Sequence, residues 1–418
     1  MYIYFLLIRI AAFFGHKKAR LLVEGQKELK AGSQRLKAYK GAIWFHAASV
    51  GEFEQARPLI ERLKANGDKR KIVVTFFSPS GYEMRKSYPH ADGIYYLPFA
   101  TRRNARRFLD VLQPSMAVFV KYEFWPAYLR ELKKRNIPTY SICAIFRPTQ
   151  RFFRWWGKGS LSLLKCFTHI YVQDEASMNL LTSHGVSACS VAGDTRFDRM
   201  AEVRSQQASR SAQLAKKLTP IARFTEGAGQ VIVAGSTWPE DEDLLYAYME
   251  QMRTASEFTP TKLILVPHEL DPKHLHYIFE LFRGRFVRYS AVSTQAADTQ
   301  TNILRRAQVL VVDTMGLLSS IYTFGHAAYI GGGFGEGIHN TIEAAAYGMP
   351  VIFGPNYHHF REAEGLIAAG AARSIQNYAE LEDALTTALA QHETIGAKAA
   401  AYVQSELGTT DKIYKEIF

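Results

Sequence analysis

Residues 42–54 read Ala42-Ile43-Trp44-Phe45-His46-Ala47-Ala48-Ser49-Val50-Gly51-Glu52-Phe53-Glu54. The run Ala42–Phe45 is continuously apolar, as a strand covered on both faces must be. Small residues follow at Ala47, Ala48 and Gly51. Apolar side chains then recur at Phe53, Ala56, Leu59, Ile60 and Leu63 with helical spacing. The stretch predicts a strand, a tight turn and a helix, with Glu52 in the helix's first turn. A carboxylate there is favoured by the helix dipole, so Glu52 is expected to be ionised at neutral pH. The carboxyl end of a strand in an open α/β sheet is also where a general base is placed. A residue that only complements the helix end is the alternative.

Working outward, apolar runs at Lys71–Phe77, Ile94–Leu97, Met116–Val120, Thr139–Ile145 and His169–Val172 are separated by helical segments. That alternation indicates a parallel sheet covered on both faces. Ser78-Pro79-Ser80-Gly81 closes one run with a turn suited to phosphate or sugar. Arg102, Arg103, Arg106 and Arg107 crowd one helix. Lys121-Tyr122-Glu123-Phe124-Trp125-Pro126 follows the Met116–Val120 run. Glu123 is thus a second carboxylate at a strand end, able to converge with Glu52 on one crevice; a plain helix-start role is its alternative. The segment from Phe146-Arg147-Pro148 to Trp155-Trp156-Gly157-Lys158 interleaves basic and aromatic residues. Such a pattern stacks nucleobases or sits at a lipid interface, and the apolar amino terminus favours the interface. In Val191–Arg199, Arg196 is placed to meet an anion or to pair with Asp194 or Asp198.

Ala201–Gly229 is polar and helical at best, and a domain boundary falls inside it. A second alternating series follows. Val231–Ala234 leads to Gly235-Ser236-Thr237-Trp238-Pro239, where Ser236 and Thr237 offer donors for phosphate or simply cap a helix. Lys262–Val266 leads to Pro267-His268-Glu269, and Val309–Val312 to Asp313-Thr314-Met315-Gly316-Leu317. In Ala327–Pro355 a strand ends in Gly331-Gly332-Gly333, followed by Gly335 and Gly337, and a helix is expected to start near His339-Asn340 and carry Glu343. The glycines would permit close ligand contact, the helix start would suit a phosphate, and Glu343 would suit ribose hydroxyls. Neither GxGxxG before a helix nor Gly-Lys-Ser/Thr is present, which disfavours coenzyme-type dinucleotide binding.

The chain has 418 residues, a natural length for two domains. At 47% hydrophobic and 22% charged residues it is folded, not disordered. A formal charge of +12 favours an anionic partner: nucleic acid, a phospholipid surface or a phosphorylated substrate. Cys143, Cys166 and Cys189 lack CxxC spacing, suit a reducing compartment and supply no metal site. Met1–Phe14 is apolar except for Arg9, and His16-Lys17-Lys18-Ala19-Arg20 follows. A bilayer span needs about 20 residues, so this segment fits a helix lying in the interface better than a membrane span. A first helix packed on the domain is the alternative.

Taken together, HAASVGE, KYEFWP, GDTRFD, Pro267-His268-Glu269 and GEGIHNTIEAAAYGMPVIFGP resemble the Kdo (3-deoxy-D-manno-octulosonic acid) transferases of lipopolysaccharide assembly, over nearly the whole chain. The resemblance implies an α/β GT-B fold of two Rossmann-like, doubly wound domains facing a cleft. The implied layout is a membrane-associating segment at 1–20, an acceptor domain at 21–205, a linker at 206–229 and a CMP-Kdo-binding domain at 230–418. It leaves open that the last helix packs back on the first domain. By motif, Glu52 matches the catalytic base, and Glu123 and Arg196 match positions linked to transition-state stabilisation. Pro267 and His268 match a CMP-binding Pro-Arg-His turn, and Met315, Gly316 and Leu317 a Met-Gly-Glu-Leu turn. Asn340, Thr341, Ile342 and Glu343 match the nucleotide-binding helix. The chain departs from the family pattern in lacking the arginine of Pro-Arg-His and the usual glutamate of Met-Gly-Glu-Leu, and in having arginine, not lysine, at 196.

The implied activity is inverting transfer of Kdo from CMP-Kdo to a lipid A precursor, with no metal and no cofactor, on the cytoplasmic face of an inner membrane. The implied attachment is peripheral or through the amino terminus. The expected partners are the lipid, the donor and an anionic membrane surface; no nucleic-acid-binding motif appears. The competing readings are a GT-B enzyme that uses a UDP-sugar, a UDP-sugar epimerase, and a non-catalytic peripheral membrane scaffold.

Overall fold

The apolar runs become the strands of two all-parallel sheets in a computed structural model that describes residues 2–31, 33–205, 212–254, 261–295 and 297–418. Met1 of the amino-terminal segment and residues 206–211 of the stretch read as a linker lie outside the described residues. The chain divides into two units. One is Met1–Arg199 with Glu406–Phe418, and the other is Met200–Ser405.

The first unit holds β1 (Ile43–Ala47), β2 (Ile72–Phe76), β3 (Gly93–Tyr96), β4 (Met116–Val120), β5 (Thr139–Ala144), β6 (His169–Val172) and β7 (Cys189–Val191). Their order across the sheet is β3-β2-β1-β4-β5-β6-β7. The chain winds outward from β1 to β3, returns, and winds the other way from β4. The winding therefore reverses between β1 and β4, where an open α/β sheet leaves its ligand crevice.

Alternation along the strands sends Trp44, Val73, Ala117 and Phe119 into one core layer and Ile43, Phe45, Val74 and Val118 into the other. The second layer is closed by Phe53, Ala56, Leu59, Ile60 and Leu63 of the helix Val50–Ala65. Ile413 and Ile417 of the helix Thr409–Ile417 join it from the far end of the chain. Asp198 accepts the backbone N–H groups of Gly408 at 2.7 Å and Thr410 at 2.6 Å, fixing the start of that last helix.

At the amino terminus, the helix Tyr2–Phe13 docks through Phe5, which stacks on Phe99 at 4.5 Å. Its Leu6, Leu7, Ile10 and Phe13, with Phe14 just beyond, stay exposed. The following helix, Lys17–Ala31, is tied down by Gln26, which donates to the Leu97 carbonyl and accepts from the Phe99 N–H. Among the described residues no helix is long and apolar enough to cross a membrane. The basic-aromatic segment divides: Phe146 and Phe152 are buried and Trp155 and Trp156 are exposed.

The second unit holds β8 (Gln230–Thr237), β9 (Thr261–Pro267), β10 (Phe286–Arg288), β11 (Val309–Val311), β12 (Ala327–Ile330), β13 (Val351–Phe353) and β14 (Ala372–Ser374). Their order is β10-β11-β9-β8-β12-β13-β14, so its winding reverses between β8 and β12. Ile232, Ala234, Leu263, Leu265, Val309, Val311 and Tyr329 share one core layer. Within the stretch expected to be polar linker, the helix Ala212–Thr225 buries Leu218, Pro220, Ile221 and Phe224.

Candidate active site

Glu52 follows β1 and Glu123 follows β4, so the two carboxylates leave the strands that flank the first unit's reversal point. Ser49 caps the helix Val50–Ala65 and forms a reciprocal capping box with Glu52. Glu52 Oε2 accepts the N–H of Ala48 at 2.5 Å and of Ser49 at 3.3 Å. Those bonds and Lys121 favour the ionised form, as expected at a helix start. They are outweighed. Burial first and the Glu123 charge second push the Glu52 carboxyl up to about 7. The expectation of a fully ionised Glu52 at neutral pH is thereby corrected, because desolvation in the crevice exceeds what the helix end returns.

Glu123 is buried, and both of its identified donors reach Oε2: His46 Nε2 at 2.9 Å and Trp125 Nε1 at 2.5 Å. His46 lies fully buried on β1, in register with Thr75 of β2. Trp44 Nε1–H donates to Thr75 Oγ1 at 2.8 Å, and Thr75 Oγ1 lies 2.9 Å from His46 Nδ1. A carboxylate only accepts, so His46 Nε2 carries the hydrogen, while Nδ1 lies against both the hydroxyl and, at 3.0 Å, the carbonyl of Thr75. The chain Trp44, Thr75, His46, Glu123 is thus satisfied bond by bond. It fixes the Glu123 carboxylate from beneath the sheet end.

Arg196 opens the helix Thr195–Ser205 and takes the pairing alternative: its Nε and Nη2 reach Asp194 Oδ2 at 2.9 and 2.7 Å. Burial acts to raise the Asp194 carboxyl, but Arg196 and Gln55 overcome it and hold the group below its usual range. Gln55 lies one turn beyond Glu52 on the same helix and donates to both Asp194 oxygens at 3.0 Å. Arg196 is therefore linked to the Glu52 helix through Asp194.

In the second unit the residues singled out gather at the carboxyl ends of β8, β9, β11 and β12. Thr237 and Pro267 are register partners at the ends of β8 and β9. The Thr237 hydroxyl donates to buried Glu242, which also meets His274 Nε2 at 3.0 Å. His268 stacks on His339 with centroids 4.1 Å apart, and Trp238 donates to His339 Nε2 at 3.1 Å. Burial, then the neighbouring His268, lowers His339 to about 4, so this ring is neutral at pH 7. Met315 is exposed, Gly316 turns at positive φ, and Leu317 is buried.

One expectation here is corrected. The helix begins at Ile342, not at His339-Asn340, and runs only to Ala346, so its dipole is slight. Asn340 instead accepts the Ile342 N–H and donates to Glu343 at 3.0 Å. Gly331 and Gly333 let the protein's own backbone come close. A Cβ on Gly331 would lie 2.3 Å from the Ser236 carbonyl, and one on Gly333 would lie 2.6 Å from Gly354. Ser236 itself sits at φ 56, in the bulge before Thr237. Gly337 is also at positive φ, beside Phe360. Thr341 is fully buried, and its Oγ1 lacks a hydrogen-bond partner among the described residues.

Sequence reading passed over His46, Thr75, Trp125, Gln55 and Asp194 as functional residues. A polar residue within an otherwise apolar strand was the available signal for His46 and Thr75.

Two all-parallel seven-stranded sheets, each with chemistry-bearing residues at its reversal point, make an α/β fold of the GT-B type. A UDP-GlcNAc 2-epimerase from Neisseria meningitidis, solved with UDP-GlcNAc, has this fold at a TM-score of 0.64 and 16% identity, covering 90% of this chain and 98% of that one. A glycosyltransferase from Rickettsia africae has it at 0.59 and 13%, over 90% and 98%. Sequence narrows the class. Residues 19–199 match the family described as 3-deoxy-D-manno-octulosonic-acid transferase (kdotransferase). The 3-deoxy-D-manno-octulosonic acid transferase of Aquifex aeolicus is 29% identical over 369 residues, 87% of this chain and 90% of that relative. The chain is similar to the Kdo transferases over most of its length.

Proposed function

We propose that the protein transfers Kdo from CMP-Kdo to a hydroxyl of a lipid A precursor, with inversion at the anomeric carbon. The observation that carries this reading is the Glu52–Glu123 pair at the β1/β4 reversal point, with the Glu52 carboxyl at about 7. A general base works best with a pKa near the operating pH.

In the proposed step Glu52 takes the proton of the acceptor hydroxyl as its oxygen attacks the anomeric carbon. The bond from that carbon to the CMP phosphate oxygen breaks, and CMP leaves with the electron pair. Attack from the face opposite the leaving group inverts the centre. Glu123, held by His46 and Trp125, supplies a fixed negative charge beside the positive character developing at the sugar. In the second unit, the donor is proposed to lie against the Met315–Leu317 turn and the segment that carries Asn340 and Glu343. Neutral His268 and His339 present a stacked face suited to a base. Arg196, oriented by Asp194, adds positive charge for the leaving phosphate. No step calls for a metal.

The proposed setting is the cytoplasmic face of an inner membrane. The exposed apolar side of the helix Tyr2–Phe13 and the +12 charge support attachment to an anionic lipid surface. Purified protein incubated with CMP-Kdo and a lipid A precursor should yield the Kdo-bearing lipid, read by mass spectrometry. CMP should compete with the donor and UDP should not. No mass gain, or better competition by UDP, returns the reading to a UDP-sugar enzyme.

A further inference from the structure

A cavity of about 570 Å³ in the first unit is lined by Ala100, Arg102, Arg106, Arg130, Glu131 and Lys134, among others. Arg102 and Arg106 stand on the helix Arg102–Leu112, and Arg130 and Lys134 on the helix Pro126–Lys134. The one carboxylate in this lining, Glu131, is taken up by Arg135 at 2.8 Å. Among the described residues, Arg102, Arg106, Arg130 and Lys134 make no ion pair and no side-chain hydrogen bond. Concave surfaces lined by one sign of charge concentrate the field and select the opposite sign.

The position of the cavity names the kind of anion. Ala100 follows Phe99, the ring on which Phe5 stacks at 4.5 Å and over which the Arg9 guanidinium lies at 5.9 Å. The helix Tyr2–Phe13, with Leu6, Leu7, Ile10 and Phe13 exposed, therefore packs on the residue next to the cavity's Ala100. An apolar helix face beside a cationic hollow fits a lipid with its tails in the bilayer and its charge at the surface. Four cations around one hollow match a phosphomonoester, which carries close to two negative charges at pH 7, better than a singly charged phosphodiester.

We propose that this cavity binds the phosphomonoester headgroup of a membrane lipid while the first helix lies in the bilayer interface. The proposal deepens the transferase reading by giving a phosphorylated lipid its own site, and it rests on that reading only for the identity of the natural lipid. Binding of the full chain to phosphatidylcholine vesicles containing phosphatidic acid tests it without any transfer chemistry. Vesicles with phosphatidylglycerol at equal surface charge serve as the diester arm, and inorganic phosphate as the lipid-free arm.

Wild type should prefer phosphatidic acid, and R106A/K134A should weaken that binding on the order of 10- to 30-fold. R103A/R107A removes the same charge from exposed positions outside the cavity lining and should weaken it several-fold less. Equal losses in both variants, or no preference over phosphatidylglycerol, would overturn the site in favour of diffuse attraction. Displacement by inorganic phosphate as effective as by vesicles would overturn the lipid as occupant. If vesicle binding follows the expected pattern and no Kdo is transferred, the lipid site stands and the transfer reading falls.

Discussion

Glu123 raises the proton affinity of Glu52: two carboxylates that leave adjacent strands, β1 and β4, share one crevice, and the charge of one makes ionisation of the other harder. A base must be deprotonated to act, so transfer should rise with pH through about 7, the value to which Glu52 is pushed. Replacing Glu123 by glutamine removes the repulsion, and the rising limb of kcat/KM should move to lower pH. A profile that stays where it was, at whatever height, would show that the pair is not coupled.

Glu52→Gln should keep CMP-Kdo binding and lower transfer by roughly 10²–10⁴-fold. It should also change stability with a defined sign. The folded-state carboxyl sits near 7, above its ordinary value of 4.5, so the folded state holds that proton more tightly. The stability this confers is full at low pH and is lost as pH rises through 7. Against wild type, the glutamine variant should therefore gain a few degrees in Tm at pH 8 and nothing at pH 4. Thermal scans at both values check it.

His46→Ala takes the Nε2–H from buried Glu123 and leaves Thr75 without its acceptor ring nitrogen. An unsatisfied buried polar group costs about 1–3 kcal/mol, more for a charged one. Urea midpoints should fall accordingly. Trp125→Phe, which removes one donor and keeps an aromatic, though smaller, side chain, should fall less. Equal effects would mean that packing, not hydrogen bonding, matters at this end of the sheet.

Arg196→Met leaves Asp194 buried with no cation, only the Gln55 and Gln173 amides and the backbone N–H of residue 196. Breaking a buried pair from one side costs roughly 3–5 kcal/mol. R196M with D194N should recover much of the loss in denaturant unfolding. If the double variant is no more stable than the single one, the pair is not what holds this turn.

Strand positions were legible wherever burial on both faces forced a continuous apolar run, and Met116–Val120 and His169–Val172 coincide with β4 and β6. The edge strands β10 and β14 were not, because three half-exposed residues carry no pattern. Glu52 and Glu123 stood out because carboxylates at strand ends are conspicuous. Which strands would be neighbours is not written in any local pattern, so their sharing a crevice needed the sheet order. The Gly331–Gly333 run has two readings for a physical reason: a backbone that must approach another backbone needs the same missing Cβ as one that must approach a ligand. His46 drew no functional reading, since its partner Thr75 lies 29 residues away.

The helix Thr409–Ile417, whose Ile413 and Ile417 lie among Ile43, Phe45 and Leu59, has a consequence for how the molecule is made. On the ribosome, residues 1–199 emerge long before the segment that finishes their core. The first unit must wait, with one apolar layer incompletely covered, until the second has been translated. Synthesis from amino to carboxyl end thus makes completion of the earlier half depend on the later one, and a nascent chain stalled past residue 199 would be a natural client for a holding chaperone.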